Sequence, residues 1–332
     1  MSGESKLNVA IVGLEFGAEF IPIYQRHPSA NMYAICQRTR SKLDDVGDSF
    51  GVEVRYEDYS ALLADERVDI VHVNTPLQVH ADHVVSALEA GKHVACTIPM
   101  ATSVEDCKRI VDAQRRTGLV YMMMETVVYS REFLFIKEQY DQGALGKLQF
   151  LRSSHHQDMT GWPSYWDGMP PMLNGTHAIS PTLALGRNEA ESVQCLGSGT
   201  IFKRMHEQYG SPFALESTHI KFRNSDVGAE VTRHLWAIAR QYRESFDVYG
   251  SIRSFEWTQI EDEDHVLHLG ESPSRVSVPD FAHLLPEEIQ AFTTGGVYTG
   301  EGEASHRSFV QGGGHGGSHP HLAHRLDRKS VV

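Results

Sequence analysis

The chain has 332 residues, 41% of them hydrophobic, and its formal net charge is -13 at pH 7. This length allows two domains, each able to bury its own core. The negative charge disfavours nucleic acid and anionic membranes as partners, and no apolar run approaches the length of a membrane span. The cysteines show no CxxC spacing, and residues 1 to 8 lack the pattern of a signal peptide. We therefore expect a soluble, cytoplasmic protein with reduced cysteines.

Short apolar segments alternate with helical patterns along the first part of the chain. Strands are predicted at 7–12, 32–36, 69–73, 93–96 and 120–123, and helices at 18–24, 41–50, 80–90 and 104–117. Strands that alternate with helices form βαβ units with right-handed crossovers and a parallel sheet. This alternation predicts an α/β fold with a doubly wound parallel sheet of the Rossmann type.

The turn after the first predicted strand is similar to a dinucleotide-binding fingerprint. In G-x-G-x-x-G/A, Gly13 fits the first position and Ala18 the last, but the second position is Glu15. In proteins with this fingerprint, the backbone at the second position nearly touches the pyrophosphate. A carboxylate ~4 Å from a phosphate charge costs about 1 kcal/mol in water and about 4 kcal/mol at an effective dielectric of 20. We expect weakened nucleotide binding unless the Glu15 side chain turns to solvent.

The predicted cofactor is NAD or NADP, and the sequence leaves the choice open. NAD-binding domains commonly carry an acidic residue after the second strand, where it binds the ribose hydroxyls. Gln37 occupies that position here, and Arg38 follows it. An arginine at this place can hold a 2′-phosphate, but it also occurs with NAD.

The pattern changes near residue 125. A helix is predicted at 125–142, a turn at 143–147, and strands at 148–154, 191–202, 213–223, 228–239 and 245–257. Consecutive strands without long helices between them favour an α+β domain with an open, mostly antiparallel sheet. We expect an NAD(P)-binding domain at 1–125, a substrate and oligomerisation domain at 126–310, and a Gly/His-rich C-terminal segment at 311–332. The substrate cleft is expected between the second domain and the carboxyl ends of the first domain's strands.

Several short motifs occur in the order of one known family. They are Val12 to Gly17, Asn74-Thr75-Pro76 followed by His80, Gly91-Lys92-His93-Val94, Pro99, Gly143 to Lys147, and Gly175-x-His177. Through them the chain resembles the Gfo/Idh/MocA family, named after glucose-fructose oxidoreductase and inositol dehydrogenase. The resemblance implies a Rossmann domain and pyridine-nucleotide oxidoreduction of sugars, polyols or their derivatives. It also implies a homo-oligomer, a dimer or a tetramer, formed through the open sheet of the second domain.

The resemblance also implies which residues hold the cofactor. They lie in the first turn, after the second strand and at the ends of later strands: Gly13, Phe16, Gly17, Ala18, Arg38, Asn74, Thr75, Pro76, His80, Thr97 and Pro99.

Two catalytic positions of the family are changed in this chain. The lysine of its E-K-P motif is Ile98, and the aspartate of its D-x-G-x-H motif is Leu173. An alkyl chain neither transfers a proton nor stabilises an oxyanion. His177 is retained at the start of an apolar helical stretch, and imidazole is suited to take a hydroxyl proton near neutral pH. His177 is therefore the predicted catalytic base.

A carbohydrate substrate is predicted from polar and aromatic residues of the second half. Trp and Tyr faces with Asp and His edges suit a sugar ring, which has an apolar face and a hydroxyl rim. The expected contacts are Tyr129, His155, His156, Asp158, Trp162, Trp166 and His315. His315 is carried over from a G-H-G-G element found near the substrate in some family members.

A metal site at His155 and His156 is disfavoured, because neighbours on a strand point to opposite faces of the sheet. We therefore expect no metal. The sequence runs through 325–332 where the family continues further, which we interpret as a shortened or an altered C-terminal segment.

Two functions of different classes follow from these observations. The first is a nicotinamide-dependent oxidoreductase acting on a sugar, cyclitol or glycoside, which His177 and the aromatic loop favour. The second is a non-catalytic or regulatory relative, or a complex subunit, that binds a carbohydrate; Ile98, Leu173 and Glu15 favour it. A variant of the first is a redox-assisted lyase or glycosidase that recycles its NAD within each turnover.

Overall fold

A computed structural model describes residues 6–186, 189–260, 263–293 and 315–327. Contacts between Cα atoms divide the chain into two compact units. The first comprises Met1–Met124 and Phe281–Val332, and the second comprises Glu125–Asp280. Among the described residues, no helix combines the length and the apolar character needed to cross a membrane.

The first unit is built on a parallel sheet of six strands in the order β3-β2-β1-β4-β5-β6. Its strands are β1 (Leu7–Val12), β2 (Ala30–Cys36), β3 (Val54–Tyr56), β4 (Ile70–Val73), β5 (His93–Thr97) and β6 (Tyr121–Met124). Its helices up to this point are α1 (Ile21–Arg26), α2 (Arg40–Phe50), α3 (Tyr59–Leu63), α4 (His80–Glu89) and α5 (Val104–Thr117). This order, which reverses between β1 and β4, is that of the doubly wound dinucleotide-binding fold.

The central strands are buried on both faces, as a parallel sheet covered by helices requires. Val9 to Val12 are at most 4% exposed, and all four residues of β4 are buried. Helices contribute Val84, Leu88 and Ile110 to the same core. The apolar runs that predict these strands therefore reflect burial on two sides, which confirms the predicted fold class.

Local signals explain why α5 occupies the residues predicted for it. The Ser103 side chain accepts a hydrogen bond from the backbone of Asp106, which caps the first turn. Gly118 follows the helix with φ of 66°, the left-handed conformation that ends many helices. The structure thus confirms the helix at 104–117 at both ends.

The second unit is built on a sheet of eight strands in the order β14-β13-β12-β11-β7-β10-β9-β8. These are β7 (Leu148–His156), β8 (Ala190–Ser198), β9 (Leu215–Phe222), β10 (Gly228–His234), β11 (Arg243–Gly250), β12 (Arg253–Glu256), β13 (His265–Leu269) and β14 (Ser272–Val276). Three helices accompany them, α6 (Arg131–Asp141), α7 (Thr176–Gly186) and α8 (His206–Tyr209). The pairs are antiparallel except β7 with β10. The predicted open, mostly antiparallel sheet is confirmed.

One face of this sheet forms the core of the second unit. Leu151, Val231 and Phe246 lie on neighbouring strands and are fully buried with Ala178 of α7. The next residues along β10, Glu230 and Thr232, alternate with them and are only partly buried. The opposite face of the sheet is therefore more exposed to solvent.

The predicted segments differ from the structure where turns interrupt them. The helix predicted at 125–142 begins as a short 3-10 turn and restarts at Arg131, because Ser130 caps α6. The strand predicted at 245–257 is two strands, because Ser251 and Ile252 form a turn held by the carbonyls of Lys147 and Leu145. β3, β13 and β14 are too short to show a clear alternation.

The last described helix, α9 (Ser318–Asp327), belongs to the first unit together with residues from Phe281 onward. The sequence-based boundaries instead place residues up to 310 in the second domain. The physical reason for the difference is burial: Ile289, Phe292 and Leu322 are at most 5% exposed, and the segment 287–293 packs on α1 and α9. Gln311 to Gly314, part of the Gly/His-rich segment, lie outside the described residues.

Candidate functional site

The turn after β1 is too tight for side chains at two positions. Gly13 has φ of 85°, and a Cβ there would lie 2.4 Å from the carbonyl oxygen of Asn74. A Cβ on Gly17 would lie 2.8 Å from the Ile11 side chain and 3.0 Å from the Asn74 amide nitrogen. Only glycine fits such positions. The buried Ala18, 4% exposed, completes the turn.

The Glu15 side chain points away from this turn. It is 65% exposed, and its Oε1 lies 2.9 Å from Nζ of Lys42 on α2. The charge repulsion expected at the pyrophosphate position is therefore reduced, because the carboxylate is solvated and paired. Phe16 is half-buried and turns its ring toward Phe20 at 5.7 Å.

The ends of β4 and β5 carry the polar residues predicted to hold a cofactor. The imidazole of His80 is buried between the carbonyls of Thr75 and Pro99, 2.8 Å from each. Burial lowers the pKa of His80. Pro76 precedes the 3-10 turn between them, and the Thr97 hydroxyl donates to the carbonyl of Val73. His80 thus joins the two strand ends and is a support for the site.

The amide of Asn74 has a spare hydrogen-bond acceptor in this region. Its Nδ2 lies 3.4 Å from the carbonyl of His72. Its Oδ1 is buried and has no hydrogen-bond partner among the described residues. Such an orphaned atom is costly unless a ligand or water satisfies it. Together with the two glycines, it fits a dinucleotide bound at the carboxyl ends of the strands.

Basic residues follow β2. Arg38 is exposed. Arg40 is bound by Asp44 at 2.7 Å and by Glu57 at 3.2 Å. The predicted contact residue Arg38 therefore lies at the place where the adenosine ribose binds in this fold.

His315 lies in the first unit, beside the dinucleotide turn. Its ring centroid is 6.3 Å from that of Phe16 and 5.7 Å from that of His319 on α9. His319 is 1% exposed, and its Nδ1 lies 3.4 Å from Oε2 of the buried Glu19. The C-terminal helix therefore packs on the turn itself, an arrangement that sequence reasoning missed.

His177 of α7 is the centre of a buried polar cluster in the second unit. Its Nδ1 lies 2.6 Å from Oε1 of Glu125 and 3.3 Å from the hydroxyl of Thr126. His177 is 8% exposed and Glu125 is 3% exposed. A carboxylate that accepts from Nδ1 fixes the ring orientation and makes Nε2 the nitrogen for proton transfer.

Three further residues of the second unit complete this cluster. The His155 ring lies 5.0 Å from that of His177 and 5.2 Å from that of Tyr242. The Tyr242 hydroxyl donates to Oε1 of Glu244 at 2.8 Å, and burial together with this carboxylate raises the pKa of Tyr242 well above its usual value. A carboxylate oxygen of Glu244 lies within 4.8 Å of a ring nitrogen of His177. His177 thus has two carboxylates nearby, those of Glu125 and Glu244.

A buried arginine supports the segment that leads into α7. Arg233 is fully buried and donates to the carbonyl of Asn174 at 2.9 Å and to Oε1 of Gln157 at 2.8 Å. Burial lowers the pKa of Arg233 to about 9. Its hydrogen bonds fix the backbone three residues before His177.

Other predicted substrate residues of the second unit have contacts of their own. His156 contacts His234, with 2.9 Å between their Nδ1 atoms, and burial and positive neighbours lower the pKa of His156 to about 3. His155 and His156 therefore have different neighbours, as adjacent residues of a strand do. Asp158 joins its own loop to the segment after β10, because it accepts hydrogen bonds from the backbone nitrogens of Thr160 and Ala237. Trp162 packs on Trp166 with centroids 6.1 Å apart.

Tyr129 ends the 3-10 turn Val127–Tyr129, directly before the cap of α6. Ile98 is partly buried and precedes Pro99, and Leu173 lies in the 3-10 turn Pro171–Asn174. The groups that the family places at these two positions, an ammonium and a carboxylate, are therefore absent here.

Sequence reasoning missed the carboxylates beside His177. Glu125 directly follows β6, at the carboxyl end of a strand where ligands bind in this fold. Glu244 shares a strand face with the apolar residues Phe246 and Val248. A charged residue on an apolar face is rare without a specific partner. The position of Glu244 among apolar residues is therefore the sequence signal that could have indicated a buried partner.

The fold of the first unit defines the class of protein: it is a dinucleotide-binding Rossmann domain. Residues 7–125 match the family model described as "Oxidoreductase family, NAD-binding Rossmann fold" (GFO_IDH_MocA). For residues 7–125, this match confirms the resemblance seen in the sequence motifs.

The sequences of curated relatives match part of this chain. A "Glycosyl hydrolase family 109 protein" of Shewanella baltica (strain OS155 / ATCC BAA-1091) is 25% identical over 260 residues, which is 69% of this chain. The chain spans 56% of that relative's length.

Solved structures share the fold. A levoglucosan dehydrogenase in complex with NADH and levoglucosan has a TM-score of 0.70 and 20% identity, covering 82% of this chain and 81% of its own. An apo scyllo-inositol dehydrogenase from Lactobacillus casei has a TM-score of 0.69 and 19% identity, covering 98% and 96%. These likenesses confirm a Rossmann unit followed by an open-sheet unit.

Proposed function

We propose that the protein is an NAD-dependent oxidoreductase that oxidises a hydroxyl group of a sugar, cyclitol or glycoside, with His177 as the base. The observation that carries the proposal is the 2.6 Å contact between His177 Nδ1 and the buried Glu125 carboxylate. The family of residues 7–125, and the carbohydrate and cyclitol dehydrogenases among the structural neighbours, support the same activity.

The residues of the second unit supply the proton chemistry. When bound, NAD accepts a hydride from the carbinol carbon, so the hydroxyl proton must leave at the same time. His177 takes this proton at Nε2, while Nδ1–H stays bonded to Glu125. The Glu125 carboxylate stabilises the positive charge that develops on the ring. This arrangement supplies a base without the lysine and aspartate that Ile98 and Leu173 replace.

The residues of the first unit hold the dinucleotide. Gly13 and Gly17 let the backbone approach the pyrophosphate, and the Asn74 amide offers an acceptor to the nucleotide. We assign four further residues around this turn and the strand ends to the same site: Phe16, Arg38, Thr75 and Thr97. His80 and Pro99 hold the strand ends together.

The substrate is a carbohydrate or a related polyol. We assign His155 to its contacts because it packs beside His177, and Tyr242 because it packs on His155. Further candidates are Tyr129, His156, Asp158, Trp162, Trp166 and His315. We also propose a cytoplasmic location and a homo-oligomer, a dimer or a tetramer, formed through the open sheet.

The proposal is tested with a panel of sugars, cyclitols and glycosides and either nucleotide, following the absorbance of reduced nicotinamide. We expect His177→Ala to lower kcat by roughly 10²–10⁴-fold, the usual contribution of a positioned base, with little change in the Kd of NAD. His219→Ala, an exposed histidine of β9, is the matched control.

A mutant within threefold of wild type would remove His177 from the mechanism. Release of an aglycone without net nicotinamide reduction would support the variant with recycled NAD instead. Carbohydrate binding without turnover of any panel member would support the non-catalytic alternative, which the intact pair of His177 and Glu125 disfavours.

A further inference from the structure

We propose that Glu15 makes the dinucleotide site selective for NAD over NADP, by taking over the role of the acidic residue that binds the adenosine ribose. The inference rests on the proposed function, because it concerns the same nucleotide. It goes beyond it by naming the residue that distinguishes a ribose 2′-hydroxyl from a 2′-phosphate.

The usual position for that acidic residue is neutral in this protein. Gln37 follows β2, and its backbone nitrogen donates to the carbonyl of Tyr56 at 3.0 Å. Arg38 is the next residue and is exposed. Considered alone, a neutral residue followed by an arginine would favour a 2′-phosphate.

The Glu15 carboxylate reaches the same place from the other side. The turn after β1 lies against the end of β2, because the backbone nitrogen of Gly13 donates to the carbonyl of Cys36 at 3.0 Å. From this turn the Glu15 side chain extends to Lys42, which lies in the first turn of α2, with 2.9 Å between Oε1 and Nζ. The carboxylate therefore spans the β1 turn and the β2–α2 connection, over which the adenosine ribose lies in this fold.

The charges around this position favour a neutral diol. Arg40 is bound by Asp44 and Glu57, and Lys42 is bound by Glu15. A 2′-phosphate would have to displace Glu15 from Lys42 and would then face a like charge. The two ribose hydroxyls can instead donate to the carboxylate, which keeps its contact with Lys42.

The test is calorimetric titration of the full chain with NAD⁺ and with NADP⁺, which needs no catalysis. We expect wild type to bind NAD⁺ at least about tenfold more tightly than NADP⁺, the contribution of a hydrogen bond to a charged group. Glu15→Gln should lower this ratio at least about fivefold, chiefly by weakening NAD⁺ binding and by releasing Lys42 for the phosphate. Glu66→Gln, the same substitution at an exposed position beyond α3, should leave the ratio unchanged.

A second variant tests the partner cation. Lys42→Met should weaken NADP⁺ binding further while NAD⁺ binding changes less than threefold. A wild type that binds NADP⁺ as tightly as NAD⁺, or a ratio unchanged in Glu15→Gln, would overturn the inference and leave the proposed function standing. If neither nucleotide binds the wild type, the proposed function falls as well.

Discussion

At the scale of single residues, the pair formed by His177 and Glu125 carries the catalytic role that we propose for the second unit. Both side chains are nearly excluded from solvent, so the contact between them is not weakened by water as an exposed pair would be. The Oε2 atom of Glu125 has no hydrogen-bond partner among the described residues. The carboxylate is therefore held by His177 and by the backbone nitrogen of Val127.

We expect Glu125→Gln to lower kcat by roughly 10–10³-fold, because an amide of the same shape cannot balance the charge that develops on the imidazole. The Kd of NAD should change less than threefold. Steady-state kinetics with the best substrate of the panel, together with nucleotide titration, measure both quantities.

Thr126→Val is the matched control for this variant, since the Thr126 hydroxyl is the more distant partner of the same nitrogen, at 3.3 Å. It should retain kcat within about threefold. Equal losses in the two variants would show that the cluster has a general structural role, and an unchanged kcat in Glu125→Gln would remove Glu125 from the mechanism.

At the scale of elements, β4 contains a buried histidine that makes the first unit sensitive to acid. His72 is fully buried between the rings of Phe20 and Tyr24, with 3.2 Å between its Nδ1 and the Tyr24 hydroxyl. Burial lowers the pKa of His72 from 6.5 to about 3. A pKa lowered in the folded state means that the unfolded chain binds the proton more readily.

The contribution of His72 to stability is therefore fully present above pH 6.5 and is lost as the pH falls toward 3. The slope is about 1.4 kcal/mol per pH unit between these values. We expect His72→Gln to be less stable at pH 7.5 but to lose less of its free energy of unfolding between pH 6.5 and 5. Urea unfolding at a series of pH values measures this slope.

His219→Gln, at an exposed position, controls for the loss of a histidine as such and should keep the wild-type slope. If His72→Gln also keeps the wild-type slope, then His72 is protonated in the folded protein or is exposed by local opening. Either result would contradict the assigned burial.

The sequence predicts elements well where the local signals agree with the packing. For α5, the cap at Ser103 and the glycine at 118 mark the same ends as the structure. β11 and β12 could not be separated, because their turn is fixed by the carbonyls of Leu145 and Lys147, which lie in the loop before β7, about a hundred residues earlier in the chain. The same limit applies to the site: His177 follows from a motif, whereas Glu244 approaches it only through strand pairing.

At the scale of the whole molecule, the polar face of the second sheet is the surface predicted for self-association. Phe150 is 36% exposed on it. Near Phe150 on the same face, Nε of Arg152 on β7 lies 3.9 Å from Oε2 of Glu230 on β10. The exposed aromatic ring among these charges makes Phe150 the residue with which we test the predicted contact with a second copy.

We expect the wild type to be a dimer or a tetramer and Phe150→Asp to shift it toward the monomer, because a buried carboxylate without a partner disfavours the interface. Light scattering coupled to gel filtration, over a range of concentrations, measures the mass. Leu284→Asp, which changes a residue of the first unit that is 51% exposed, should leave the mass unchanged. A monomeric wild type, or an unchanged mass in Phe150→Asp, would contradict the predicted interface.

The packing of α9 on the turn after β1 has a consequence for folding during synthesis. Nε2 of His27 lies 3.0 Å from Nδ1 of His324, although 297 residues separate the two histidines along the chain. On the ribosome, the nucleotide turn emerges first and waits uncovered while the entire second unit is synthesised. Because α9 contacts Phe16 and Phe20 through His319, we expect these two rings to be less covered in nascent chains until α9 has left the exit tunnel.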